Sequence, residues 1–272
     1  MPMPISSIKT MDLIIVGDRS DRFCTEVLDL VQQAGYTADI FDVCDAARLF
    51  SIGMEDGQVF VTPDIPILLR IQSPSTIRTS FDDSFIYGEC LSTLWAAATL
   101  NKSPVINRPT THSIWGKTSY SSVLTAVRAG YQENDIEIFS SQILPPHTAK
   151  INQQWYVQDL VTYNTTAYPN IPEGEGPYRG RWADIDPGYE IVVVLEDKAW
   201  RSTTVPLEHL ALEQQSISLM RNLDLTFATV TWSISENLET ATIARIDSFP
   251  LMEQIQFVWP ALAPALLEVL FS

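Results

Sequence analysis

Cysteine and histidine are scarce in this sequence of 272 residues. There are three of each, they are widely spaced, and no two cysteines form a C-x-x-C pair. A metal centre built from thiolates and imidazoles is therefore not expected, and neither is a disulfide framework. Cys24, Cys44 and Cys90 are predicted to be reduced thiols in the core of a cytoplasmic protein.

Basic residues and long apolar runs are also few. The 17 lysines and arginines are outnumbered by 33 acidic residues, which gives a formal charge of −16. Such a charge repels nucleic acid and anionic lipid, so neither is an expected partner. A basic peptide would suit it, although solubility alone also explains the acidity. No apolar run approaches the roughly 20 residues that span a bilayer, and the N-terminus lacks a secretory signal pattern.

A glycine-rich phosphate loop is missing as well. Gly17 ends the first apolar run, but no G-x-G-x-x-G follows it, so a dinucleotide site is not supported. What is present is an alternation of strand and helix. Apolar runs at 11–17 and 38–42 flank a segment of helical spacing over 18–35, which is typical of an α/β domain. Further strands are predicted at 58–62, 65–71 and 104–107, and helices over 84–101 and 113–128.

The C-terminal part has its own pattern. Strands are predicted at 136–139 and 155–161, a β-hairpin over 189–204, a helix over 206–223, strands at 225–234 and 241–247, and a final helix over 264–271. Residues 162–188 are interrupted by prolines and glycines, which predicts a long loop. Tyr178, Arg179 and Trp182 in this loop suit a contact surface, and packing onto their own domain explains them equally well.

The order of these elements and several short motifs resemble the ATP-grasp superfamily. YVQDLV at 156–161 is similar to its Q-E-x-[IV] strand, NLDLTFA at 222–228 to its L-G-L-x-[FY]-[AG], and ARIDSFP at 244–250 to its L-E-[IV]-N-P-x-P. The pattern is most similar to that of the microviridin-type (graspetide) ligases, which link side chains of ribosomally made peptides into lactones and lactams. The resemblance implies an α/β (α+β) fold, with a pre-ATP-grasp domain at 1–112 and an ATP-grasp domain at 113–272.

The sequence departs from this family where metal and nucleotide would bind. The resemblance places the Mg²⁺ ligand positions at Thr231, Arg245 and Asp247, and it places Glu190 where the family has a catalytic arginine. Mg²⁺ requires oxygen ligands, so a cation at Arg245 would repel it. We expect Asp247 to pair with a neighbouring residue. Only about 25 residues, 130–154, are available for the family's second phosphate-binding segment. We therefore predict a reduced C-terminal half without the nucleotide-binding subdomain, and no metal or cofactor.

The resemblance thus implies a degenerate ligase that still holds a peptide, similar to the peptide-binding proteins of crocagin biosynthesis. We expect it to bind the leader region of a precursor peptide and to present it to the tailoring enzymes of the same pathway. The candidate groove is the predicted hairpin and helix, with Glu190, Val192, Val194, Trp200, Leu210, Glu213 and Ile217. Its acidic groups would meet basic residues of the guest. An ordinary core face with solvated acids fits the same pattern.

Two other functions fit the sequence. One is an ATP-independent enzyme that acts on the peptide through residues such as Asp247, Glu190 or His209, although carboxylates near an arginine are more often structural pairs. The other is a divergent ATP-grasp ligase whose motifs are displaced along the chain. The resemblance also allows a homodimer.

Overall fold

The computed structural model describes residues 11–71, 81–110, 137–142, 153–159, 165–170, 174–184, 188–201, 207–235 and 238–272. Packing divides the chain into two compact units. The first comprises Met1–Ser119, Ile191–Val230 and Arg245–Ser272, and the second comprises Tyr120–Glu190 and Thr231–Ala244. The division at 112/113 stays a prediction, as does the helix over 113–128, which lies outside the described residues.

A parallel sheet forms the centre of the first unit. Its strands are β1 (Leu13–Val16), β2 (Ala38–Phe41), β5 (Ile67–Leu69) and β6 (Val105–Ile106), in the order β2-β1-β5-β6. Every residue of β1 is buried, because alternate side chains enter two different core clusters. Leu13 and Ile15 enter one cluster, and Ile14 and Val16 enter the other. The predicted α/β arrangement is confirmed for this part of the chain.

Helices cover both faces of this sheet. On one face lie α1 (Arg22–Gln33) and two C-terminal helices, α5 (Met252–Ile255) and α6 (Trp259–Phe271). On the other face lie α2 (Val43–Ala47) and α3 (Phe81–Leu100). The Asp21 carboxylate caps α1 by accepting a hydrogen bond from the Phe23 amide, at 3.0 Å. Within the described residues, no helix has the length and apolarity needed to cross a membrane.

A hairpin that the sequence indicates only in part follows α2. Its strands, β3 (Ser51–Glu55) and β4 (Gln58–Thr62), pair in antiparallel register, and only β4 was predicted. Asp56 and Gly57 form the turn, with φ of 50° and 75°. Positive φ at both central residues is the geometry of the tight turns that match the twist of a hairpin.

The second unit contains an antiparallel sheet. Its strands are β7 (Glu137–Ser140), β8 (Gln153–Asp159), β9 (Thr165–Ala167) and β10 (Tyr178–Asp184), in the order β7-β10-β8-β9. The prediction of one long loop over 162–188 is wrong, because β9 and β10 lie within it and both pair with β8.

The predicted C-terminal hairpin is confirmed. Strands β11 (Gly188–Leu195) and β12 (Lys198–Arg201) pair in register, from Leu195 opposite Lys198 to Val192 opposite Arg201. With β13 (Phe227–Ile234) and β14 (Ala241–Asp247) they form a sheet in the order β12-β11-β13-β14. The helix predicted over 206–223 is shorter, because Ala211 has a φ of 46° and separates a 3₁₀ turn (Glu208–Leu210) from α4 (Leu212–Asn222).

Candidate functional site

The hairpin and α4 are joined by one arginine that the sequence reasoning missed. Arg201 at the end of β12 has a mostly buried side chain, and its Nε lies 3.3 Å from Glu213 Oε1 at the start of α4. A second carboxylate, Glu208, lies 3.8 Å from Arg201 Nη2 and is largely exposed. The pattern that could have revealed this is an arginine on the hairpin followed by two acidic residues at the helix start.

The structure brings together only some of the predicted groove residues. Leu210, Glu213 and Ile217 are half-buried, on α4 and on the turn before it, and α4 packs against β12. We call these three residues, with Arg201 and Glu208, the hairpin–helix surface. Its apolar members are flanked by two carboxylates, so it presents both the chemistry and the partial exposure of a contact surface.

Other groove residues lie elsewhere. Val192, Val194 and Glu190 are fully buried in β11. Trp200 is adjacent to Arg201 and therefore points to the opposite face of the hairpin. There it packs on the core cluster that contains α6, whose Glu268 is paired with Lys198 at 2.6 Å. The roles assigned to these four residues stay predictions, but their burial and orientation do not favour contact with a peptide on the α4 side.

The predicted loop contacts belong to a strand. Tyr178 and Trp182 are buried on β10, and Arg179 is half-buried between them. The Trp182 ring packs edge-on against Trp155 with 5.3 Å between centroids, and the Tyr178 hydroxyl donates to the Gly174 carbonyl at 2.9 Å. The placement of these residues in a loop is therefore wrong, since their aromatic rings form the core of the second unit.

The candidate metal positions on β14 are occupied by an ion pair. Arg245 Nη2 pairs with Asp247 Oδ2, which confirms that Asp247 pairs with a neighbour. The other oxygen of Asp247 accepts a hydrogen bond from the Phe249 amide at 3.0 Å. Thr231 is half-buried on β13 and belongs to the second unit. A guanidinium paired with the remaining carboxylate does not fit a Mg²⁺ site, which needs several free oxygen ligands.

The end of β14 is anchored by a residue with no predicted role. Asn107, just after β6, is buried and donates from Nδ2 to the carbonyl oxygens of Phe227 (2.8 Å) and Ser248 (3.1 Å). Its Oδ1 accepts from the amides of Thr226 (3.1 Å) and Phe227 (2.9 Å). One amide side chain thus satisfies four backbone groups and fixes the position at which β14 ends relative to the start of β13.

A buried ion pair lies where β1 and β5 end. Arg70 Nε pairs with Asp21 Oδ2 at 2.7 Å, and its guanidinium stacks over the Phe23 ring at 4.5 Å from the centroid. The neighbouring Cys24 thiol is also buried. Burial, followed by the negative charge of Asp21, raises its pKa to about 12. The predicted assignment of Cys24 to a reduced core thiol agrees with its burial and its free state.

The three residues of the alternative catalytic hypothesis have different surroundings. Asp247 is committed to Arg245, His209 is exposed in the 3₁₀ turn, and Glu190 is buried in the second unit. Among the residues that the structure describes, no group of three histidine, cysteine or acidic side chains is placed to hold a metal ion.

No family model and no curated protein sequence matches the chain. Several solved structures, however, are similar to the chain. The macrocyclase MdnB from Microcystis aeruginosa MRC is similar over 96% of this chain and 99% of its own, with a TM-score of 0.65 and 12% identity. The fold is that of the ATP-grasp ligases. MdnC from the same organism, bound with precursor peptide MdnA, gives 0.64 at 12% identity over the same shares of the two chains.

A third structure supports the same fold. The ATP-grasp ligase PsnB, complexed with a minimal precursor, Mg and ADP, has a TM-score of 0.64 and 10% identity over 96% of this chain and 99% of its own. The predicted fold class is therefore confirmed. The predicted loss of the nucleotide-binding subdomain stays a prediction.

Proposed function

We propose that this chain binds the leader region of a ribosomally made precursor peptide and presents it to tailoring enzymes in the cytoplasm, without ATP-dependent chemistry of its own. The ATP-grasp fold supports a role in peptide modification, because MdnC and PsnB are solved with precursor peptides. The ion pair between Arg245 and Asp247 is the observation that carries the non-catalytic part of the proposal.

The ion pair opposes metal binding in two ways. Arg245 places a positive charge next to the carboxylate that a cation would need. Asp247 is mostly buried and already accepts hydrogen bonds from Arg245 and from the Phe249 amide. A cation would therefore have to displace a charged partner without gaining a second carboxylate at the position of Arg245.

The hairpin–helix surface is the proposed peptide site. Leu210 and Ile217 supply apolar contact, and Glu208 and Glu213 supply negative charge beside it. In the described part of the chain, β12 is the last strand of its sheet, so its outer edge can also accept an extended peptide. The guest that fits is a peptide with apolar anchors and a neighbouring lysine or arginine.

Calorimetry tests binding directly. Synthetic peptides would cover the short reading frames beside the gene, and we expect one of them to bind with a dissociation constant of about 1–10 μM, or roughly −7 to −8 kcal/mol. Glu208→Arg should weaken binding about tenfold, because it reverses a charge on the surface. Asp29→Arg, an exposed charge reversal on α1, is the matched control and should leave affinity unchanged. If none of the peptides binds at a concentration of about 100 μM, the proposal is refuted.

Two further measurements separate the rival functions. We expect no rise in melting temperature with ATP and Mg²⁺, whereas a rise would favour a divergent ligase, since any ligand of the native state stabilises it. Mass spectrometry of the bound peptide after incubation with this protein alone should show no mass change and no altered retention. Either change would instead favour an ATP-independent enzyme.

A further inference from the structure

Two of the three cysteines lie next to each other on neighbouring helices. Cys44 is the second residue of α2, and Cys90 lies in the middle of α3. The two helices pack against each other, and the Cys44 thiol donates a hydrogen bond to the Cys90 sulfur. Cys90 also packs on the core cluster that both helices enter. Both cysteines are free and half-buried, so the pair of thiols lies near the molecular surface.

The third cysteine provides an internal comparison. Cys24 is fully buried on α1, which covers the opposite face of the parallel sheet, in a different core cluster from Cys90. A disulfide requires Cα atoms about 4.4–6.8 Å apart, so it forms only between cysteines on elements that face each other. Cys44 and Cys90 are therefore the one pair of cysteines in this chain that the fold brings together.

We propose that Cys44 and Cys90 form a redox-sensitive dithiol, which hydrogen peroxide converts into a disulfide that ties α2 to α3. Disulfides that form in a reducing compartment are usually transient and redox-sensing rather than structural. Cysteines that sense peroxide are accessible to solvent and often lie beside a second, resolving cysteine. The pair has both properties, because its sulfur atoms are hydrogen-bonded to each other and its residues are half-buried.

The surroundings of Cys44 give the two sulfur atoms different roles. Burial, followed by the hydrogen bond to Cys90, raises the pKa of the Cys44 thiol to about 11. The charge of Asp42 acts in the same direction, and the charge of Arg48 opposes it. Cys44 therefore keeps its proton near neutral pH. Since the thiolate is the attacking form of cysteine, we assign the attack on peroxide to Cys90 and the resolving step to Cys44.

The oxidation consists of two balanced steps. Cys90 releases its proton to solvent, and its sulfur attacks one oxygen of hydrogen peroxide. The O–O bond breaks, and the leaving hydroxide takes the proton of Cys44 to form water. The Cys44 thiolate then attacks the sulfenic acid of Cys90, the S–O bond breaks, and the second hydroxide takes a proton from solvent. Each sulfur loses one electron, and the peroxide is reduced to two molecules of water.

The disulfide would change the stability of the chain. It closes the segment 44–90, which contains the β3–β4 hairpin and β5. A cross-link over a segment of this length removes many conformations from the unfolded chain. Oxidation should therefore raise the melting temperature by roughly 5–10 °C.

Peptide mapping of the full chain tests this inference, which does not depend on the proposed function. After treatment with a roughly tenfold excess of hydrogen peroxide, we expect the chain to lose a pair of hydrogen atoms. Cleavage after Glu26, Glu55 and Glu89 places each cysteine on a different peptide, and the peptides that contain Cys44 and Cys90 should be linked. A dithiol reductant should restore both thiols.

Single variants test the roles of the three cysteines. Cys24→Ser is the matched control and should form the disulfide as the wild type does. In Cys44→Ser, the sulfenic acid of Cys90 has no resolving thiol, so dimedone should label Cys90. In Cys90→Ser, dimedone should label Cys44 at least about tenfold less, because its thiol keeps its proton. Neither of the last two variants should gain melting temperature on oxidation.

Several results would overturn the inference. Thiols that all remain free after peroxide treatment would exclude the disulfide, as would a link that includes Cys24 or joins two chains. A sulfinic acid on Cys90 without a link, or a product that the dithiol reductant does not restore, would exclude a reversible pair. Equal dimedone labelling of Cys44 and Cys90 would refute the assigned order of attack. The wild-type peptide map needs no variant, so it decides even if a variant fails to fold.

Discussion

Replacing Asn107 is expected to destabilise the protein more than any exposed substitution. The Asn107→Ala variant removes the partner of four backbone groups. Three of them, the carbonyls of Phe227 and Ser248 and the amide of Phe227, are buried, and the amide of Thr226 is partly buried. Each unsatisfied buried group costs about 1–3 kcal/mol, and neighbouring atoms relax to recover part of this. We expect the free energy of unfolding to fall by about 3–5 kcal/mol.

The backbone at Asn107 adds a separate contribution. Its φ of 55° lies in the left-handed region, which asparagine tolerates and alanine does not. The left-handed conformation costs an ordinary residue about 1–2 kcal/mol, and glycine adopts it freely. Asn107→Gly therefore removes the four hydrogen bonds without this strain. It should be about 1 kcal/mol more stable than Asn107→Ala.

Urea denaturation followed by circular dichroism measures both effects. A loss of about 4 kcal/mol lowers the melting temperature by about 10 °C in a chain of this size. Asn170→Ala, an exposed site, is the control and should change stability by no more than about 0.5 kcal/mol. A loss below about 1 kcal/mol for both Asn107 variants would refute the role of the hydrogen bonds. Equal losses for the two variants would refute the contribution of backbone strain.

Three further predictions follow from single contacts. Asp21→Asn keeps an N-cap for α1 but leaves Arg70 buried without its carboxylate, so urea denaturation should show a loss of about 3 kcal/mol or more. Cys24 has a pKa raised to about 12, so its stabilising effect is present below pH 9 and is lost as pH rises towards 12. The stability difference between wild type and Cys24→Ala should shrink over that range by up to about 1.4 kcal/mol per pH unit, and a constant difference would contradict the raised pKa. Lys198 has a raised pKa because it donates to Glu268, but it is exposed, so Lys198→Met should leave the melting temperature unchanged.

Hydrophobic periodicity predicted the strands that are continuous apolar runs in the sequence. The buried run over 11–17 became β1, and the β-branched run from Tyr189 became β11 of the hairpin. Strand β10 was missed, because the prolines and glycines that precede it indicate a loop when only the sequence is considered. In the structure a Cβ at Gly180 would overlap the Trp155 ring, so this glycine makes room for the aromatic core. The need for a glycine at this position comes from Trp155 on β8, a partner strand that is distant in sequence.

The candidate site was predicted less well than the fold, for a related reason. Four consecutive residues of β11, from Val192 to Leu195, are buried. A continuous apolar run indicates a strand covered on both faces, but not what covers it. Val192 and Val194 were therefore assigned to a groove although other parts of the chain cover them. Arg201 was missed because its importance depends on carboxylates that only the folded hairpin and α4 bring within reach.

The likeness to the fold of peptide ligases and the proposed loss of their chemistry rest on separate observations, because a fold does not determine the function built on it. At about 10–12% identity the neighbours establish the backbone arrangement alone. The chemistry depends on side chains. On a strand such as β14, every second side chain lies on the same face. Arg245 and Asp247 are two residues apart, so they share a face and pair. Arg245 therefore pairs with the one carboxylate that remains at the metal positions implied by the resemblance. A surface for peptide contact, by contrast, needs only the hairpin, α4 and the charges on them.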